Sequence, residues 1–213
     1  MQGNIDDFYN LIQEDAKLLE HIDELPFVDT PLHIAASFGN IPIAMEMMGL
    51  KPSFARKLNP YGFSPIHLAL QNGHTEMVHR LLQFDGDLIR VKAKEHITPL
   101  HYVAKIDYHL DLLPKFLSIC PDSITDVTIR NETALHIAMK NNMLDAFKLL
   151  VRWLGSDWSQ TASIYGKEIL NRKDEKGDTM LHIAASKNQT EASSLHSSIM
   201  KIQINIYLML KKN

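Results

Sequence analysis

Apolar residues along this chain fall into short amphipathic stretches rather than long runs. Met77, Val78, Leu81 and Leu82 share one face of a helix packed on one side, and the same spacing recurs as Ile43, Ala44, Met47 and Met48 and as Ala146, Phe147, Leu150 and Val151. Ahead of these stretches comes a repeated motif: Thr30-Pro31-Leu32-His33-Ile34-Ala35-Ala36, Ser64-Pro65-Ile66-His67-Leu68-Ala69-Leu70, Thr98-Pro99-Leu100-His101-Tyr102-Val103-Ala104, Thr133-Ala134-Leu135-His136-Ile137-Ala138-Met139 and Thr179-Met180-Leu181-His182-Ile183-Ala184-Ala185. Its histidines are 34, 34, 35 and 46 residues apart, a regular array with an insertion near 155–167 before the last unit.

The motif is a helix start. Thr or Ser at the N-cap offers a hydroxyl to an orphan amide of the first turn, and Pro at the first helical position has its φ preset and no amide to leave unpaired. The Leu, Ile and Ala positions make a small-residue face that lets helices approach closely. Nine residues after each cap stand Gly39, Gly73, Asp107, Asn142 and Asn188, types that suit a helix-ending turn. Each unit is therefore helix, turn, helix. Counting back four and three residues from each cap gives the tips of the connecting hairpins: Pro26 and Phe27, Pro60 and Tyr61, Lys94 and Glu95, Ile129 and Arg130, Glu175 and Lys176. The following residue is Gly62, His96, Asn131 or Gly177, types enriched at positive φ, with Val28 the misfit.

These five copies resemble the ankyrin-repeat family, whose signature is Thr-Pro-Leu-His-x-Ala. The resemblance covers about residues 3–191 and implies an all-α solenoid of about five repeats, each a helix pair joined to the next by a β-hairpin loop, plus a partial N-terminal one. It also implies that partners bind on hairpin tips and first-helix surfaces. The wording of Ile22-Asp23-Glu24 to Thr30, Asn59-Pro60-Tyr61-Gly62-Phe63-Ser64 and Lys173-Asp174-Glu175-Lys176-Gly177-Asp178-Thr179 looks like the plant ankyrin–transmembrane proteins. In those, cytoplasmic repeats precede a multi-pass plasma-membrane domain and serve defence and stress signalling.

Both ends depart from the pattern. Gly3-Asn4-Ile5 aligns with Gly39-Asn40-Ile41, so residues 1–29 read as a partial repeat, with Phe8, Leu11, Ile12, Ala16, Leu18 and Leu19 on a second helix whose first is absent. Residues 30–191 are the repeat domain. In the last unit Ser193, His196 and Ser197 stand where Val78, Leu81 and Leu82 stand in the second, and 192–213 read as a non-ankyrin tail. Three expectations cover that tail: a truncated or aberrantly spliced product, a short soluble isoform or decoy of a membrane-anchored relative, and a working membrane-contacting tail.

Composition narrows the function. Net charge is −3 and the single cysteine, Cys120, excludes an internal disulfide and fits a reducing, cytoplasmic compartment. No secretory signal opens the chain, and the apolar-rich stretch Ile199–Leu210 falls short of the ~20 residues a spanning helix needs. The histidine row is not a metal site, because helices in adjacent repeats sit roughly 8–10 Å apart while ligands converge within about 2 Å of an ion. Each histidine instead reads as bonding its own cap and the neighbouring repeat. No phosphate loop, zinc pair or nucleophile elbow occurs, Asp145, Asp174 and Glu175 read as solvated carboxylates, and no enzyme and no cofactor is expected. Arg90, Lys92 and Lys94 cluster, but Asp85, Asp87 and Glu95 surround them, so the run reads as a solvated face and not a nucleic-acid strip.

The expected function is a monomeric protein-interaction module, an adaptor or regulator in intracellular signalling. A structural spacer and a ligand-regulated enzyme subunit are the rivals. Aromatic residues and Arg dominate binding hot spots, which puts Phe27, Tyr61 and Arg130 first among the tips.

Overall fold

The computed structural model describes residues 17–106, 109–155, 166 and 168–187. Expectations for Phe8 to Ala16, Asp107, most of the insertion, Asn188 and the 192–213 tail lie outside the described residues. The chain forms two compact units, Met1–Lys94 and Glu95–Asn213. Regular structure among the described residues is helical, apart from one isolated bridge.

In the first unit α1 (Leu18–Glu24) buries none of its residues. Two helix pairs follow: α2 (Pro31–Phe38) with α3 (Ile41–Leu50), and α4 (Pro65–Gln71) with α5 (Thr75–Phe84). α2 packs on α4 and α3 on α5, so first helices form one layer and second helices another. The small side chains Ala35, Ala36 and Ala69, all nearly or fully buried, permit the close approach of α2 and α4. Between them and the second helices lies a core of Leu32, Ala44, Met47, Met48, Ile66, Met77, Val78 and Leu81. α2 stops at Gly39, whose φ of +68° is the left-handed cap that a glycine adopts without strain.

The second unit repeats this plan with α6 (Pro99–Ala104) and α7 (Leu112–Ile119), α8 (Ala134–Lys140) and α9 (Leu144–Leu154), and α10 (Met180–Lys187). α8 packs between α6 and α10, and α7 against α9. Phe116 and Phe147 are its largest buried side chains.

A third element of each repeat is absent from the hydrophobic pattern. After α3, α5 and α7 the chain makes a single 3₁₀ turn, Pro52–Arg56, Gly86–Arg90 and Pro121–Thr125. Each turn drives two consecutive residues inward, Phe54 and Ala55, Leu88 and Ile89, Ser123 and Ile124. Full burial of a side chain such as Phe54 contributes about 1.5–3 kcal/mol. The turn also delivers the chain to the next hairpin.

Candidate functional site

The surface that function can use is set by how the histidines fasten each hairpin. At Thr30, Thr98 and Thr133 the hydroxyl accepts the amide of the histidine three residues on, and the histidine ring accepts the threonine amide in return. Thr30 N donates to His33 Nδ1 at 3.1 Å, Thr98 N to His101 Nδ1 at 3.3 Å and Thr133 N to His136 Nδ1 at 3.3 Å. With Nδ1 accepting, the neutral ring carries its proton on Nε2. That proton is donated to a carbonyl of the following hairpin: Phe63 at 3.1 Å, Glu132 at 3.2 Å and Arg172 at 3.1 Å. Burial favours the neutral form and lowers the pKa of His33 and His136 below the usual value, and that of His101 to about 4. Thr179 and His182 make the same pair, in an exposed setting.

Ser64 departs from the cap expected of it. Its hydroxyl lies 2.7 Å from His67 Nδ1 but accepts no helix amide, and His67 N donates to the Ser64 carbonyl instead. The shorter 3₁₀-like bond satisfies the orphan amide without the side chain.

Behind the caps at Ser64, Thr133 and Thr179 a polar side chain closes the hairpin. Asn59 Oδ1 accepts the amides of Tyr61 and Phe63 at 3.1 and 3.0 Å, and Asp174 Oδ1 those of Lys176 and Asp178 at 2.9 and 3.0 Å. Thr128 Oγ1 accepts the amides of Arg130 and Glu132. Gly62, His96, Asn131 and Gly177 all have positive φ, as does Glu95. Within each unit, hairpins are stitched to their neighbours through the backbone: Lys94 N donates to Gly62 O at 2.7 Å, Ile129 N to Glu95 O at 3.0 Å and Glu175 N to Arg130 O at 2.9 Å. Phe27 pairs with Leu58 in the isolated parallel bridge. The tips are thus held on a hydrogen-bonded frame.

What the tips present differs between the units. In the first, Phe27 is 62% exposed and Tyr61 73%, and the α2 face carries Ile34 and Phe38, four residues apart, at 53% and 75%. In the second, the tips are charged and self-compensating. Arg130 lies 3.5 Å from Glu95 and 3.8 Å from Glu175, a ladder across three hairpins in which all three side chains remain half-exposed. Arg130 is therefore an ion-paired rung rather than an unengaged anchor. Ile129 is the large apolar residue exposed on these tips, and Lys176 points outward.

Asp174 is a correction to the solvated carboxylate that sequence suggests. Its side chain is fully buried, and Lys140 Nζ sits 2.6 Å from both Asp174 Oδ2 and Glu132 Oε1, a carboxylate that is itself nearly buried. Burial alone raises the Asp174 pKa, but the bonds from Lys140 and from the hairpin amides outweigh it and hold the carboxyl below its usual range. Burial likewise opposes charge on Lys140, and the two carboxylates overcome it and raise its pKa. Asp145, by contrast, lies on the α9 surface, 3.2 Å from Lys148.

A groove of about 220 Å³ between α7 and α9 is lined by Leu113, Pro114, Leu117, Leu149, Arg152 and Trp153, a set with no acid, base or nucleophile for chemistry. Among the described residues no cluster of His, Cys, Asp and Glu could hold a metal ion, and no helix is long and apolar enough to cross a membrane.

Residues 1–93 match the family model of ankyrin repeats (3 copies). The ankyrin repeat-containing protein BDA1 of Arabidopsis thaliana is 55% identical over 62 residues, 29% of this chain and 15% of that protein. An ankyrin repeat-containing protein of Schizosaccharomyces pombe is 27% identical over 125 residues, 58% of this chain and 55% of that one. The probable E3 ubiquitin-protein ligase XBOS31 of Oryza sativa subsp. japonica is 28% identical over 145 residues, 67% of this chain and 32% of that one. The matched stretch thus spans from 15% to 55% of these relatives' lengths. The capped helix pairs, the histidine bonds between hairpins and these matches together identify ankyrin repeats, which indicate a protein-interaction module, in residues 1–93, and the same cap and histidine bonds recur at Thr98 and Thr133.

Proposed function

We propose that this chain is a non-enzymatic adaptor of intracellular signalling, and that it binds its protein partner through the aromatic hairpin tips of the first unit. The observation that carries the reading is the exposure of Phe27 and Tyr61 on a hydrogen-bonded frame, beside Ile34 and Phe38 on α2. Rigid, solvent-facing aromatics lose little entropy on binding and supply most of the energy at hot spots, and contiguous exposed apolar surface marks interaction sites. The second unit supports the choice by contrast, since its charged tips satisfy one another. The likeness to a plant ankyrin repeat-containing protein supports a plant context, and the wording of the hairpins supports defence or stress signalling.

The test is affinity purification of partners from native tissue with the wild-type chain, with Phe27→Ala/Tyr61→Ala, and with Phe84→Ala as an exposed apolar control outside the tips. Loss of two hot-spot side chains costs at least ~2 kcal/mol, which lowers capture of a specific partner more than about tenfold. Undiminished capture by a double variant with a wild-type helical spectrum sinks the reading.

A further inference from the structure

Two lysines of the basic run beside the aromatic tips, Lys92 and Lys94, are not ion-paired with its acidic neighbours. Val91 and Ala93 are buried at 8% and 4% while Lys92 and Lys94 between and after them are exposed, so the two lysines stand on one side of an extended segment. Of the three carboxylates nearby in sequence, Asp85 pairs with Arg56 and Glu95 with Arg130, and the exposed Asp87 forms no ion pair with either lysine among the described residues. Asp29, at the base of the first hairpin, accepts from Asn59 Nδ2 at 2.9 Å. The other lysine of these hairpins, Lys57, donates to the Leu25 carbonyl at 2.6 Å and lies 3.7 Å from Asp23. Lys92 and Lys94 have no ion pair among the described residues. Lys94 is also fixed against the second tip, because its amide bonds Gly62 O and its Cβ fills the space over Gly62, where an added Cβ would lie 2.9 Å away.

We propose that this face takes a short extended segment of another protein in which apolar side chains are followed by carboxylates. The apolar groups lie on Phe27 and Tyr61 and the acidic ones at Lys94 and Lys92. The proposal rests on the reading of the first-unit tips as the binding surface and specifies the chemistry of the partner. Neighbouring repeats are spaced roughly 10 Å apart, and a strand advances about 3.3 Å per residue. One tip is therefore met every three residues or so, which gives the order apolar-x-x-apolar-x-x-acidic. The apolar contacts supply affinity, and the carboxylate fixes direction and register, because a rim charge governs encounter and orientation more than it governs strength.

The experiment measures binding of fluorescent synthetic peptides to the full chain by anisotropy. One peptide carries the apolar-x-x-apolar-x-x-Glu order, a second has Glu replaced by Lys, and a third has the apolar residues replaced by Ser. The expected result is that the Glu peptide binds at least about tenfold more tightly than the Lys peptide at low salt, with the gap narrowing as salt rises. Lys92→Glu/Lys94→Glu should invert that order, and Phe27→Ala/Tyr61→Ala should abolish binding of both. If the aromatic variant abolishes binding while charge reversal leaves the order of the peptides unchanged, the acidic partner is wrong and the tip reading survives. If neither variant alters peptide binding, both fail. Absence of binding by every peptide overturns the proposal, as does binding only of anionic vesicles or a single-stranded oligonucleotide that is lost in Lys92→Glu/Lys94→Glu. All four side chains are exposed, and circular dichroism of each variant checks that the fold is intact.

Discussion

Replacing Lys140 with Met should destabilise the second unit by about 3 kcal/mol, a large share of the 5–15 kcal/mol that holds an ordinary domain. Lys140 Nζ bonds Glu132 and Asp174 at 2.6 Å each, and those side chains are only 6% and 0% exposed. Removing one member of a buried charge group costs about 3–5 kcal/mol, because the charges left behind have lost water and gained nothing. The 29% exposure of Lys140 puts the cost at the lower end, since water partly replaces its ammonium. Urea unfolding followed by circular dichroism is the assay, and with a slope of about 1–3 kcal/mol/M the midpoint should fall by roughly 1–3 M. Glu132→Gln/Lys140→Met/Asp174→Asn should recover at least half of the loss, because neutral amides keep the hairpin acceptor at Asp174 without a buried charge. The pH dependence follows from the shifts. Asp174, depressed in the fold, contributes stability that is present above its unfolded value of 3.8 and lost as pH falls through its folded value. Lys140, raised in the fold, contributes stability that is full below 10.5 and lost as pH rises through its folded value. The variant's deficit should hence be flat across neutral pH and shrink in acid. A loss under about 1 kcal/mol, or a deficit unchanged at about pH 3, refutes the reasoning.

Thr98→Ala and Thr133→Ala should each cost about 1 kcal/mol by urea unfolding, and Ser64→Ala less, because only the threonine hydroxyls accept a helix amide; equal costs at all three would contradict this. Gly49→Ala should stabilise the chain by roughly 0.5–1 kcal/mol, since Gly49 lies within α3 with nothing within 4 Å of an added Cβ, and an unchanged or lower midpoint would count against that geometry. His101, depressed from 6.5 to about 4, contributes stability that is full above pH 6.5 and lost as pH falls towards 4, and NMR should place its titration near 4; a midpoint near 6.5 would mean that the ring is not buried in solution.

Much of this fold was legible because the chain repeats its own instructions. Thr-Pro-Leu-His fixes a helix start chemically, and the apolar pairs of the second helices match the buried set Ala44, Met47, Met48 and Ala146, Phe147, Leu150. The 3₁₀ turns were not legible, because two adjacent apolar residues such as Leu88 and Ile89 carry no helical or strand period. Nor was the Lys140 triad, since Glu132, Lys140 and Asp174 come from two repeats and look like surface charge until the hairpins close over them. At the candidate site, the tip positions follow from counting back from the caps. The state of each tip does not: Arg130 reads as an anchor in sequence and is paired in space, while Lys94 reads as neutralised and is not.

Photo-crosslinking tests the central claim most directly. Benzoylphenylalanine placed singly at Phe27, Tyr61, Phe84 and Ile129, all between 51% and 73% exposed, reports which of four comparably accessible apolar positions touches the partner. The account predicts covalent adducts with one and the same protein from positions 27 and 61 and none from 84 and 129. Adducts confined to 84 or 129, or equal from all four, would contradict it.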